Sequence, residues 1–324
     1  MRSAKYFERV LTLAPLRVDA EHCATVYFCV LGLSVLAKKE INDTNGGEAE
    51  KPCRTGEAGT ILGNWKPKLQ QYIEYMFKGD GFCASSSGVR DTELLATYFG
   101  LAIAAMINYE FNDADKNNIS TFVLSCRQKK GMYCNNPTLF DEYDLNSSVR
   151  HTYAAFASLK LLGKNINDLE SFERIKSLQN YDGGFGMCVN DESHAGLTFC
   201  ALASLELGGS LSSGVKHKAV RFLLNRKVLS NGFNGRPNKD PDCCYSFWVL
   251  NSLRMIGIDI SLNTPALVDS NQSSQTEIDF MSSCFDSILH AFSPIPDSDP
   301  DPYHTALALA ALFPESIDHA LVIL

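Results

Sequence analysis

The sequence predicts an all-α protein, an α/α barrel (toroid) of about six helical hairpins, on three observations. A glycine-aromatic turn recurs at Gly81-Phe82, Gly131 to Tyr133, Gly183-Gly184-Phe185 and Gly232-Phe233, with a degraded copy at Ala291-Phe292. Each turn is followed by a polar loop and then by an apolar stretch rich in small residues. Strand signals are weak: few Val/Ile/Thr runs alternate, and no flanked Asn-Gly hairpin occurs. A spacing of about fifty residues suits a helical hairpin with its loop, as in helical repeat arrays.

Taken in order, the apolar helices are expected at residues 92–106, 149–162, 195–207, 245–256 and 304–312. They are apolar nearly all round, which suits a buried inner layer. The segments before the turns, such as 169–178 and 216–224, are amphipathic and suit an outer layer. Closure of the ring would put every post-turn loop at one end of a central cavity. Residues 46–59 and 268–276 are polar and read as exposed loops. The repeat continues across both, so residues 1–324 are expected to form one domain.

Composition narrows the function. Hydrophobic residues make up 45% and charged ones 20%, the balance of a folded soluble chain with a substantial core. The formal charge of −8 gives the surface no general attraction for nucleic acid or anionic lipid, so any basic site must be local. No apolar run reaches a membrane span, so no integral membrane protein is expected. The first eighteen residues alternate charged and apolar types rather than forming a secretory leader. Eleven cysteines without a leader suit mostly free thiols in a reducing cytoplasm.

Repeat phase places the chemistry. Directly after the turn loops stand His194, the cluster Asp242/Cys244/Tyr245, and His304, all at the starts of inner helices and hence at one rim. Asp, Cys and His offer three zinc ligands and leave a fourth position open, the arrangement of catalytic sites. A lone histidine at a helix start is more often a cap or a packed residue; three coincidences in phase favour a site. Cys243 and Cys244 point about 100° apart on a helix, so at most one faces the metal with Asp242. Arg236, Lys239, Tyr245 and His194 make an anion cradle suited to a diphosphate, helped by helix N-termini. Trp248 adds an apolar wall. The acidic run 297–301 is no calcium loop, because Pro302 and Ala308 stand where glycine and an acid are required. Asp301 has two readings, a helix cap or a residue that orients a ligand.

At these residues the chain resembles the β subunits of protein prenyltransferases. The resemblance runs from Lys5-Tyr6-Phe7 to Phe313 and is strongest in residues 181–205, 231–256 and 296–312. Gly-Arg-Pro-Asn-Lys followed by Asp-x-Cys-Tyr-Ser-Phe-Trp is its most specific motif, and it is similar to the type I geranylgeranyl branch. The resemblance selects Cys244, with Asp242 and His304, as the zinc ligands. It gives His194, Arg236, Lys239 and Tyr245 to the diphosphate. Arg150, Tyr153 and Trp248 are placed along the isoprenoid cavity, as are Thr25, Cys29, Tyr303 and Leu307.

Farnesyl-selective relatives carry tryptophan where Thr25 aligns and tyrosine where Leu307 stands. The smaller residues here leave room for a twenty-carbon chain. Tyr303 is the farnesyl-like choice beside the zinc histidine. The position that governs magnesium in the family falls near Pro294, so magnesium (Mg2+) dependence is left open while one Zn2+ is expected. The resemblance further implies a heterodimer with a helical-repeat α subunit, geranylgeranyl diphosphate as donor, and CaaX acceptors such as Rho- and Rac-type small GTPases. Its alternatives are a farnesyltransferase or Rab geranylgeranyltransferase β subunit. A terpene cyclase on the same barrel would want an Asp-x-Asp-Asp or Asp-Asp-x-x-Asp motif, and neither occurs. A non-catalytic barrel would have no need of an open metal site.

Overall fold

The most apolar stretches of the chain form the inner wall of a ring. A computed structural model describes residues 2–13, 22–45, 57–85, 91–139, 147–229, 232–258 and 277–322. The described helices are, in chain order, α1 (Arg2–Leu13), α2 (His22–Asn45), α3 (Glu57–Met76), α4 (Leu94–Met106), α5 (Asp113–Ser125) and α6 (Val149–Leu161). They continue with α7 (Leu169–Lys176), α8 (Ala195–Leu207), α9 (Ser213–Leu224), α10 (Cys243–Met255), α11 (Glu277–Ser283) and α12 (Pro302–Leu312). Two short antiparallel ladders accompany them: Tyr133–Cys134 pairs with Ser147–Ser148, and Phe285–Asp286 with Ala291–Phe292.

The even-numbered helices pack in the order α2, α4, α6, α8, α10, α12, and α12 returns against α2 to close the ring. Outside it, α3 lies against α2 and α4, α5 against α6, α7 against α8, and both α9 and α11 against α10. Burial follows position. From Leu197 to Leu205 every residue of α8 is buried, whereas α7 buries Ser171, Phe172 and Ile175. A helix enclosed on all sides must be apolar all round, and one with a solvent face need not be.

The recurring turns are sockets. Phe82, Tyr133, Phe185, Phe233 and Phe292 are all buried. The backbone N–H of four of them donates to a threonine hydroxyl at the fourth position of the next inner helix. The pairs are Phe82 with Thr97 (3.0 Å), Tyr133 with Thr152 (3.2 Å), Phe185 with Thr198 (3.0 Å) and Phe292 with Thr305 (3.0 Å). At the same phase after Phe233 stands Ser246, whose buried hydroxyl has no partner. Gly184 is required by close approach: a Cβ there would lie 2.7 Å from the Phe222 ring of α9.

Some boundaries differ from expectation. The helices predicted at 245–256 and 304–312 begin two residues earlier, at Cys243 and Pro302, because the capping residues Asp242 and Asp301 precede them. Helix α9 starts at Ser213 under a Ser212 cap rather than at 216. Of the predicted loop 46–59, residues 57–59 form the first turn of α3; residues 46–56, like the loop 268–276, lie outside the described residues. No described cysteine is in a disulfide, and all of them but Cys188 are buried. No described helix is long and apolar enough to cross a membrane.

Candidate active site

The inner helices start at one end of the ring, and their capping residues carry titratable groups. Asp242 precedes α10 in an extended conformation (φ −143°), and its Oδ1 accepts from the Cys244 N–H at 2.9 Å. Asp301 does the same for α12, accepting from the His304 N–H at 2.8 Å, with Pro302 at the first position where no N–H is needed. Because α10 and α12 are ring neighbours, Asp242, Cys244 and His304 converge: one ligand atom from each lies within 4.8 Å of the others. Among the described residues no other group of His, Cys, Asp and Glu is so placed.

His304 Nε2 is 3.2 Å from Asp242 Oδ1, and its Nδ1 is 2.6 Å from Asp301 Oδ2. Asp301 therefore fills both roles left open by the sequence: one oxygen caps the helix and the other aims the imidazole. Burial disfavours a charged His304, but the hydrogen bonds to Asp242 and Asp301 outweigh it and raise the ring to about 9. For Asp242 burial is likewise outweighed, by hydrogen bonds from His304 and Cys244, and its carboxyl is held below the usual range. Burial and the Asp242 charge push the Cys244 thiol well up. Cys243 is turned away from this group; its N–H donates to the Pro294 carbonyl at 2.8 Å and its thiol pairs with Cys284.

Beside the trio, His194 caps α8 with its ring: the Gly196 N–H donates to Nδ1 at 3.0 Å. Burial, then the charges of Arg236 and Arg150, lower this imidazole to about 4, so it is neutral near pH 7. With Nδ1 accepting, the ring proton sits on Nε2 and is donated to the Tyr245 hydroxyl, 3.2 Å away. That leaves the phenolic hydrogen of Tyr245 free to point at an anion. Gly235 makes this possible, because a Cβ there would collide with the Tyr245 ring. The Gly235 carbonyl also accepts from Ala195 N–H at 2.8 Å, tying the loop to α8. Arg236 Nη1 is 3.1 Å from Glu192 Oε2 at the rim. The Lys239 side chain is exposed; its carbonyl accepts from Asn234, whose side-chain oxygen is held in turn by the buried Arg226.

The helix starts open onto a cavity of about 860 Å³. Thr25, Tyr153, Trp248, Tyr303 and Leu307 line it, as expected, together with Cys244, Tyr245 and His194. Arg150 lines it too, but its charge bears on His194 and Tyr245, so it stands with the cradle rather than the apolar wall. Cys29 is a correction: it is wholly buried and is not part of the cavity lining, and its influence falls on Tyr6 of α1. Its helix shows the cavity Thr25 and Phe28 instead. Tyr27 and Tyr98 were missed, although Tyr98 occupies the same fifth position in α4 that Tyr153 holds in α6.

Helix pairs closed into a ring around a cavity with this rim define a known class. Residues 1–317 match the prenyltransferase alpha-alpha toroid domain, and the chain belongs to that family. Within it the chain is similar to β subunits of type-1 geranylgeranyl transferases. It is 30% identical to the one from Dictyostelium discoideum, over 78% of this chain and 75% of that protein. To the one from Arabidopsis thaliana it is 33% identical, over 66% of this chain and 56% of that protein. The structure of Candida albicans protein geranylgeranyltransferase-I complexed with GGPP superposes with a TM-score of 0.74 at 25% identity, covering 99% of this chain and 94% of that one. A type II terpene cyclase, MstE from Scytonema, shares the fold alone, with a TM-score of 0.54 at 11% identity over 92% and 88% of the two chains.

Proposed function

We propose that the chain is the β subunit of a zinc-dependent protein geranylgeranyltransferase type I. The reaction moves a geranylgeranyl group from its diphosphate to the cysteine thiol of a C-terminal CaaX sequence. The observation that carries this reading is the convergence of Asp242, Cys244 and His304 within 4.8 Å at the head of the 860 Å³ cavity, beside Tyr245 and His194.

The donor set fits zinc: a carboxylate, a thiol and an imidazole whose far nitrogen is already held by a carboxylate. Bound zinc would supply a Lewis acid that keeps the acceptor cysteine a thiolate near neutral pH. Asp242, Cys244 and His304 would hold it. Tyr245 donates its free hydrogen to the departing diphosphate, and Arg150 and Arg236 offset the charge that builds there. The cavity walls fix the allylic carbon against the incoming sulfur and keep water away. As the carbon–sulfur bond forms, the carbon–oxygen bond breaks and its electron pair leaves with the diphosphate.

Thr25 and Leu307, both on the cavity wall, are small where the farnesyl relatives are bulky, which favours the twenty-carbon donor. The partner would be a prenyltransferase α subunit, the acceptors CaaX proteins, and the compartment the cytoplasm. The test is co-purification with a candidate α subunit, metal analysis, and paired transfer of fifteen- and twenty-carbon lipids to CaaX peptides ending in leucine or methionine. One zinc per heterodimer and preference for the longer lipid with the leucine peptide are expected. A metal-free active complex, or equal use of both lipids, would overturn the proposal.

A further inference from the structure

The fourth glycine-aromatic turn bears two cations of the cradle, Arg236 and Lys239, and it is built differently from the other turns. In every turn the residue after the aromatic one donates its backbone N–H to a carbonyl close to the end of the preceding outer helix. The acceptors are Met76, Cys126, Leu178 and Cys284 in the other turns and Arg226 in this one, at 2.9–3.3 Å. All five residues are buried. Four have neutral side chains suited to such a place, whereas Arg226 puts a guanidinium there and is 5% exposed.

A buried charge is costly unless polar groups hold it. Arg226 Nε donates to the Phe222 carbonyl at 3.3 Å and Nη1 to Asn234 Oδ1 at 3.1 Å, with the guanidinium 4.6 Å from the centroid of the Phe222 ring. Both acceptors are neutral oxygens. Burial lowers the pKa of the group, and the charges of Asp182 and Glu192 offset part of that.

Asn234 is the residue this arrangement fixes. Arg226 takes its backbone N–H and its side-chain oxygen, so the amide nitrogen must face the other way. That nitrogen donates to Lys239 O at 2.9 Å and closes the loop 234–239. The same loop is tied to α8 through Gly235 O and turns through Asn238 at φ +60°. Lys239 is not part of the cavity lining. Where its ammonium can reach is therefore set by where its backbone is held.

We infer that Arg226 is a positioning residue: through Asn234 it fixes the Lys239 backbone so that the lysine meets the lipid diphosphate at the mouth of the cavity. This rests on the prenyl-transfer reading and deepens its anion site. Arg226 is itself no part of the cavity lining and acts through the asparagine.

The experiment measures dissociation constants for geranylgeranyl diphosphate, transfer rates and thermal unfolding on the heterodimer. Arg226→Met gives this turn the residue that Met76 supplies at the same phase of the first, and should weaken binding of the diphosphate lipid about tenfold, with zinc content unchanged. Asn234→Ala breaks the same link but keeps the cation, and should weaken binding by a similar factor. Lys239→Ala should weaken it at least as much. Adding Arg226→Met to Lys239→Ala should then cost no more than about twofold further, because a lysine that is absent cannot be misplaced. Should Arg226→Met not fold, Asn234→Ala combined with Lys239→Ala completes the same cycle. Losses that multiply in the double variant, or full affinity in Asn234→Ala, overturn the proposal and leave the cation acting by its field or by stability. A wild-type complex that binds the diphosphate lipid but transfers none sinks the prenyl-transfer reading alone, and the binding cycle still judges Arg226.

Discussion

The inner helices α4 and α6 begin much as α8, α10 and α12 do, yet in the latter three the capping side chain also reaches a residue of the candidate site. Glu93 precedes α4 with no side-chain cap bond, and Ser148 caps α6 through one hydroxyl. His194, Asp242 and Asp301 make the equivalent cap bonds and in addition hold Tyr245, face His304, or aim it. The repeat thus supplies a position where an acceptor atom is needed anyway. Replacing a serine there by histidine or aspartate adds a functional atom without giving up the cap.

The largest break in that comparison is at the proposed metal ligands. Cys244→Ala or His304→Ala should remove bound zinc and lower transfer on the order of a thousandfold. Ser148→Ala, at the structural counterpart, should cost about 1 kcal/mol of stability and leave transfer intact. Metal content, turnover and thermal unfolding of the three proteins check this. Zinc binding should also be steeply pH-dependent. His304 is protonated up to about 9 and the Cys244 thiol beyond its ordinary range in the metal-free chain, so binding expels both protons. Affinity should rise with pH and fall as pH drops, and proton release measured by calorimetry in two buffers would show it.

Asp301 separates its two duties. Asp301→Ser restores a capping oxygen but cannot reach His304 Nδ1, so stability should stay near wild type while zinc affinity falls roughly 10- to 100-fold. Wild-type stability together with unchanged zinc affinity would make the aspartate a cap alone. A smaller effect is expected at Gly235→Ala, where the new methyl displaces the Tyr245 ring. It should raise KM for the lipid diphosphate about tenfold, with zinc content unchanged. The smallest contrast compares two repeats: Thr198→Ala strands the buried Phe185 N–H and should cost about 1–3 kcal/mol. Ser246→Ala removes a hydroxyl that has no partner and should be neutral or slightly stabilising, as chemical denaturation would read.

The ring and its phase were legible because small, apolar helices between glycine-aromatic turns have few alternatives. The start of α10 was set two residues late, since Asp242 was weighed as a ligand and not as a cap, whereas the cap reading of Asp301 already pointed to a helix start near Pro302. Cys29 was misplaced because α2 is apolar along most of its length, so its pattern does not show which face meets the cavity. Arg150 reads as a surface cation until the fold brings α6 beside α8. The threonine ladder of Thr97, Thr152, Thr198 and Thr305 was visible in register but carries no charge to draw notice.

Closure of α12 on α2 has a consequence for how the molecule is made. An open array needs polar end caps and can grow from either side. A closed one has no ends to protect, but its wall is incomplete until the last inner helix leaves the ribosome. Until then the bare flanks of α2 and α10 stay wet, and the joining contact spans most of the chain, so the final step is slow and prone to aggregation.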